Sequence, residues 1–195
     1  LLAQILEGQG NIFMQKNYLI ALFVAIATLA STSGCEKVSS RKDLESIQAM
    51  EKKADKEREK LLGGEADTAL IGELGRSYLA FADNYPQAPE TPEFLFRAGE
   101  LYSNDLGNMD KSISIFKRNY QTYPDHETAA NALFLIGYIY HNVLQNLVQA
   151  EKYYKEFLDQ YPNHKMSRTA EFELKHLGQS PEDVFKEFID SDSTQ

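Results

Sequence analysis

Among the residue types that most often carry chemistry, this sequence holds one cysteine, Cys35, and four histidines, His126, His141, His164 and His176. A lone thiol can neither close an intramolecular disulfide nor supply the paired thiolates of a zinc site, so its chemistry must be something one thiol does alone. The histidines are scattered through different turns and helices. His126 and His164 both stand two residues after a proline, where polar contacts at a helix start account for them better than a metal does. Glu171 and Glu173 could suggest an acid and a base, but two residues apart on a helix they face different ways and read as a solvated surface. No Gly-rich phosphate loop, HExxH or G-x-S-x-G occurs. No catalytic residue, metal ligand or cofactor is expected, and the chain is not expected to be an enzyme.

The bulk properties agree. The 195 residues are 43% hydrophobic and 25% charged, as in ordinary globular protein. With 29 acidic against 20 basic residues the net charge is −9, which repels a phosphate backbone unless basic residues gather on one face. The only dense basic run, Lys52 to Lys60, is interleaved with Asp55, Glu57 and Glu59. Nucleic acid is not an expected partner.

The use of Cys35 emerges from what precedes it. From Met14 the chain reads as a short polar start with Lys16, an apolar run from Tyr18 to Ala30, and small residues up to Cys35. As a helix that run reaches roughly 20 Å, short of a ~30 Å hydrocarbon core, which fits a signal peptide over residues 14–34 better than a membrane span. Ser33 and Gly34 before Cys35 resemble the lipobox of bacterial lipoproteins, with Thr32 where leucine is commonest. That resemblance implies lipid attachment at Cys35. Several buried acyl methylenes, at ~0.8 kcal/mol each, would anchor the chain. Residues 1–13 lie upstream of a good start methionine and read as a leader outside the fold.

Beyond the tether the chain repeats. The segments 71–86, 109–124 and 147–162 superimpose without gaps at a spacing of 38 residues, ending in Tyr85-Pro86, Tyr123-Pro124 and Tyr161-Pro162. Tyr78, Phe116 and Tyr154 coincide, each seven residues before the terminal tyrosine; two helical turns apart, both aromatics can face one core. Proline cannot continue a helix and biases the residue before it away from the α region, so each Tyr-Pro ends one helix and aims the chain at the next. After each proline Phe96, Phe134 and Phe172 coincide, as do Gly99 with Gly137 and Tyr102 with Tyr140. A mid-helix glycine costs about 1 kcal/mol, so its recurrence predicts a close helix approach. Lys175 takes that position in the third copy.

Each unit is thus a helix, a short turn such as Leu106-Gly107-Asn108 or Gln145-Asn146, and a second helix closed by Tyr-Pro. The pattern resembles the tetratricopeptide repeat through Leu133, Gly137, Tyr140, Ala150, Tyr154 and Pro162, and again through Leu95, Gly99, Tyr102, Ser112, Phe116 and Pro124. The resemblance implies an all-α helical-hairpin solenoid over residues 65–178. Ser180, Pro181, Glu182 and Asp183 carry the marks of a helix start, and Val184, Phe185, Phe188 and Ile189 form an apolar face, so residues 179–195 are expected to be a capping helix and tail. Residues 35–64 are expected to be a tether and charged helix. Leu44, Ile47, Met50, Ala54 and Leu61 form a thin stripe there, which serves either as a first repeat helix packed on its neighbour or as a self-associating coiled coil.

By the family's pattern the first helix of each unit lines a groove suited to an extended peptide or a partner helix. The groove-facing candidates are Glu93, Glu100 and Ser103, then Asn131, Tyr138 and His141. Lipid-anchored chains of this kind are similar to the BamD-type outer-membrane assembly lipoproteins and to YbgF-type proteins associated with the Tol-Pal system. The function expected from that similarity is an adaptor of the bacterial cell envelope, at the outer membrane facing the periplasm, that holds a protein partner; the alternative is an oligomeric accessory subunit using residues 44–61.

Overall fold

The computed structural model describes residues 39–57, 59 and 67–192; the leader at 1–13, the signal segment at 14–34, Cys35 and Leu61 lie outside the described residues. The chain divides after residue 46. Of the first unit, residues 39–46 are described and are helical. In the second, the described residues form eight helices and no strand. These are α1 (residues 47–57), α2 (Thr68–Asn84), α3 (Thr91–Glu100), α4 (Met109–Thr122), α5 (Glu127–Tyr138), α6 (Leu147–Gln160), α7 (Ser167–Lys175) and α8 (Pro181–Asp192). From α2 to α7 each helix packs on the next in sequence, and α3 also touches α5. This is the all-α helix-pair array that the repeat implied.

The punctuation is local chemistry. Asp67, Asn108 and Asn146 each accept a hydrogen bond from a backbone N–H of the helix they open, at 2.9–3.3 Å, which satisfies donors that the first turn leaves unpaired. His126 opens α5 the same way, its Nδ1 accepting from the Thr128 N–H, and His164 Nδ1 accepts from the Met166 N–H, each at 3.3 Å. The helix-start role expected for these two histidines is therefore the one they have. At the other end Tyr85, Tyr123 and Tyr161 share one conformation, with φ between −128° and −130°, as a residue before proline should. Tyrosine at these marks does more than stop a helix. The Tyr123 hydroxyl donates to the Pro86 carbonyl at 2.8 Å and the Tyr161 hydroxyl to the Pro124 carbonyl at 3.1 Å, so each mark is fastened to the one before it.

Packing follows the aligned positions. Tyr78, Phe116 and Tyr154 are all buried. A Cβ on Gly99 would stand 2.4 Å from Phe116 Cε1, and one on Gly137 would stand 2.8 Å from Tyr154 Cδ1, the close approach that the glycines predicted. Both first helices then widen into a π turn, Leu101–Asp105 after α3 and Ile139–Val143 after α5. The second residue after each turn is left-handed, Gly107 with φ 61° and Gln145 with φ 52°.

The two ends of the array differ. Ile47 and Ala54 of the charged helix's stripe are buried within the array, as a first repeat helix requires. The start of α8 is built as read: Asp183 N–H donates to Ser180 Oγ at 3.2 Å, and Ser180 Oγ–H donates back to Asp183 Oδ2 at 2.8 Å. Its apolar face, however, is only partly covered. Val184 is half-buried while Phe185 is 65% and Ile189 53% exposed, because the nine-residue α7 is too short to screen a stripe this wide.

Candidate partner-binding face

The array carries two hollows, one bounded by α1, α2 and α3, the other by the π turn after α5, the start of α6, α7 and α8. The first is a concavity of about 340 Å³ lined by Glu51, Asp55, Arg97, Glu100 and Asp105 over a floor of Leu74 and Tyr78. Its centre is a closed triad. The Tyr78 hydroxyl donates to Glu51 Oε1 at 2.6 Å, and Arg97 Nη1 donates to the same oxygen at 2.8 Å. Arg97 Nε also reaches Glu93 at 2.9 Å. Burial, reinforced by the bonded Glu51 carboxylate, pushes the Tyr78 hydroxyl well above the usual phenol range. Glu100, half-buried in the same wall, has its carboxyl raised first by desolvation and then by repulsion from Glu93, with Arg97 opposing.

The second hollow is larger, about 710 Å³, and more apolar. Leu147, Phe172, Val184 and Phe185 line it together with His141, Glu173 and His176. His141 Nδ1 lies 3.0 Å from Glu173 Oε2, and the His141 ring stands edge-on to Tyr154, centroids 6.3 Å apart. Tyr154 is wholly buried, yet its hydroxyl has no hydrogen-bond partner. Burial raises that hydroxyl far above the phenol range, and the Glu173 carboxylate and then Tyr138 add to the shift.

The six groove candidates divide between these features. Glu100 lines the first hollow and Glu93 is held beside it by Arg97. Ser103, on the π turn after α3, donates to the Glu100 carbonyl at 3.1 Å and to Asn104 Oδ1 at 3.0 Å. Asn131 is half-buried on α5. Tyr138 is 44% exposed, and His141, on the second π turn, lines the second hollow. Three residues with equal claim went unnamed. Continuing the 38-residue register from Asn131, Tyr138 and His141 gives Thr169, His176 and Gln179, and the last two line the second hollow. Glu173, expected on a solvated surface, is half-buried, because what decides its surroundings is not its spacing from Glu171. Its partner is His141, 32 residues away.

Among the described residues no group of three or more His, Cys, Asp or Glu side chains could hold a metal ion. No described helix is long and apolar enough to cross a membrane. Two stretches, residues 93–126 and 131–164, match a family model described as the tetratricopeptide repeat. No curated protein matches the chain. The two matched stretches start 38 residues apart, leaving 127–130 between them, and those four residues are the first turn of α5. These two stretches therefore resemble tetratricopeptide repeats, α5 beginning a turn before its matched stretch, within an all-α array suited to protein–protein interaction.

Proposed function

We propose that this protein is a lipid-anchored interaction scaffold of the bacterial cell envelope, holding a protein partner along the face formed by its first helices. One observation carries the scaffold reading. Residues 93–126 and 131–164 match the tetratricopeptide repeat, a unit that commonly binds protein partners, and Tyr138 of the second stretch is 44% exposed. Exposed aromatics beside concavities are where partner segments gain the most buried area. The anchor and the envelope location rest on the segment from Met14 to Cys35, and a role in outer-membrane protein assembly or envelope maintenance follows from that likeness. Lipid attachment would keep the face close to a membrane and raise the effective concentration of a membrane-borne partner.

Two measurements test this. Palmitate labelling of wild type should be lost in Cys35→Ser; an unlabelled wild type would sink the anchor. A photo-crosslinker placed at Tyr138 or Ser103 in membranes should capture a partner that one at Ser114, on the outer face of α4, does not. Equal capture at all three positions would sink the groove.

A further inference from the structure

One wall of the second hollow is fastened at a single point. Val184 and Phe185 of α8 line that hollow, but Phe185 stays 65% exposed, so apolar burial does little to hold the helix down. Among the described residues the ion pairs from α8 to the array both end on Glu187, which meets Lys175 and, at 3.3 Å, Nε2 of His176. His176 is buried at the C-terminal end of α7. Its other ring nitrogen, Nδ1, lies 2.8 Å from the carbonyl oxygen of Phe172.

Both nitrogens of His176 thus face oxygens that can only accept, a backbone carbonyl and a carboxylate. A neutral imidazole has one N–H and one bare lone pair, so either neutral tautomer sets a lone pair against an oxygen. Only the imidazolium donates to both. A positive group is also in place at a helix C-terminus, where the backbone dipole is negative. The other titratable groups lining the hollow are His141 and Glu173, which bond each other; Lys175 joins at the edge through Glu187, and α6 contributes Leu147 and no charge.

We infer that α8 is a pH-governed lid on the second hollow: protonated His176 fastens it through Glu187, and loss of that proton loosens it and opens the apolar wall of Leu147 and Phe172. Docking of α8 and proton binding at His176 favour each other. The fastening is therefore complete on the acid side of the window between about pH 5 and 8 in which histidine changes charge, and weakens as pH rises through it. It is lost again only in stronger acid, because the bond from Lys175, aided by the charge of His176, holds the Glu187 carboxyl below the usual carboxylate range. The lid goes beyond the groove reading and does not depend on it, since α8 can respond to pH whether or not a crosslinker at Tyr138 captures a partner.

The test reads α8 directly, by amide hydrogen exchange and mass spectrometry on the full chain in detergent at about pH 6 and about pH 8. Rates are corrected for the intrinsic pH dependence of exchange with an unfolded peptide of the same residues. Protection of residues 181–192 should fall about fivefold between the two conditions, while protection of α6 stays level. His176→Gln and Glu187→Gln should each remove the fall, whereas His141→Gln should keep it. Glu187 is 44% exposed, so its variant decides the matter even if His176→Gln disturbs α7. Equal protection at both pH values, a fall that survives Glu187→Gln, or one that disappears in His141→Gln would each overturn the inference.

Discussion

The α1–α4 half and the α5–α8 half of the array share one repeat and use it differently. In the first half the buried polar groups close on one another. Tyr78, Glu51 and Arg97 form a triad, and Asn119 in α4 donates to the Pro92 carbonyl at 2.6 Å while accepting from Thr128 at 3.2 Å. In the second half Phe157 stands where Asn119 does, Tyr154 has an idle hydroxyl, and apolar side chains reach solvent from Tyr138 to Ile189. Repeats can thus share a backbone while one end closes its buried polar groups and the other leaves a buried hydroxyl unpaired and apolar surface bare. Polar groups satisfied within the chain have little left to offer a partner, whereas unsatisfied groups and bare apolar surface do.

The largest effect expected from breaking this comparison is at the glycines. Gly99→Ala should lose about 2 kcal/mol in chemical denaturation and Gly137→Ala about 1 kcal/mol, since overpacking a core costs about 1–3 kcal/mol against a helix-propensity gain of about 1. The difference follows the tighter approach at Gly99, and an equal loss at both would erase the contrast in packing. Next comes the tyrosine pair. Tyr78→Phe should cost about 1.5 kcal/mol because it removes a bond to a carboxylate, while Tyr154→Phe should cost nothing or stabilise, having no bond to lose. Equal losses would mean the two hollows are alike.

Two substitutions probe the turns and marks. Gln145 holds a left-handed conformation that Gly107 holds one repeat earlier. Gln145→Gly should therefore gain about 1 kcal/mol and Gly107→Gln lose about as much, read from the unfolding midpoint. Tyr123→Phe should cost about 0.5 kcal/mol, because its hydroxyl bond to Pro86 is exposed. Faster amide exchange around Pro86 is the sharper readout.

The smallest effect is a pH dependence in the first hollow. Glu100 has its carboxyl raised in the folded state, so the folded chain holds that proton more tightly than the unfolded one. Its contribution is favourable below the ordinary carboxylate range and is lost as pH rises through the elevated value. Glu100→Gln should raise the thermal midpoint slightly at neutral pH, and the gain should shrink as pH falls into the carboxylate range. A gain that grows on acidification would reverse the assigned sign.

Much of this was legible before any coordinates, and for reasons that stay within a short stretch of chain. Proline's missing N–H ends helices wherever it stands, and asparagine before a helix caps it. An aromatic repeating every 38 residues must meet equivalent surroundings. These effects act over one or two turns, so the sequence by itself determined the all-α array, its register, the buried Tyr78, Phe116 and Tyr154, and the helix-start work of His126 and His164. It also offered Tyr138 and His141 as groove candidates. What the tertiary structure alone decided is which distant groups meet. Glu173 finds His141 across 32 residues, and Tyr123 finds the Pro86 carbonyl across 37. Tyr78 gains a carboxylate from α1 while Tyr154 gains none. A hydrogen bond depends on a few tenths of an ångström between side chains on separate helices, and a repeat register fixes position only to the nearest residue.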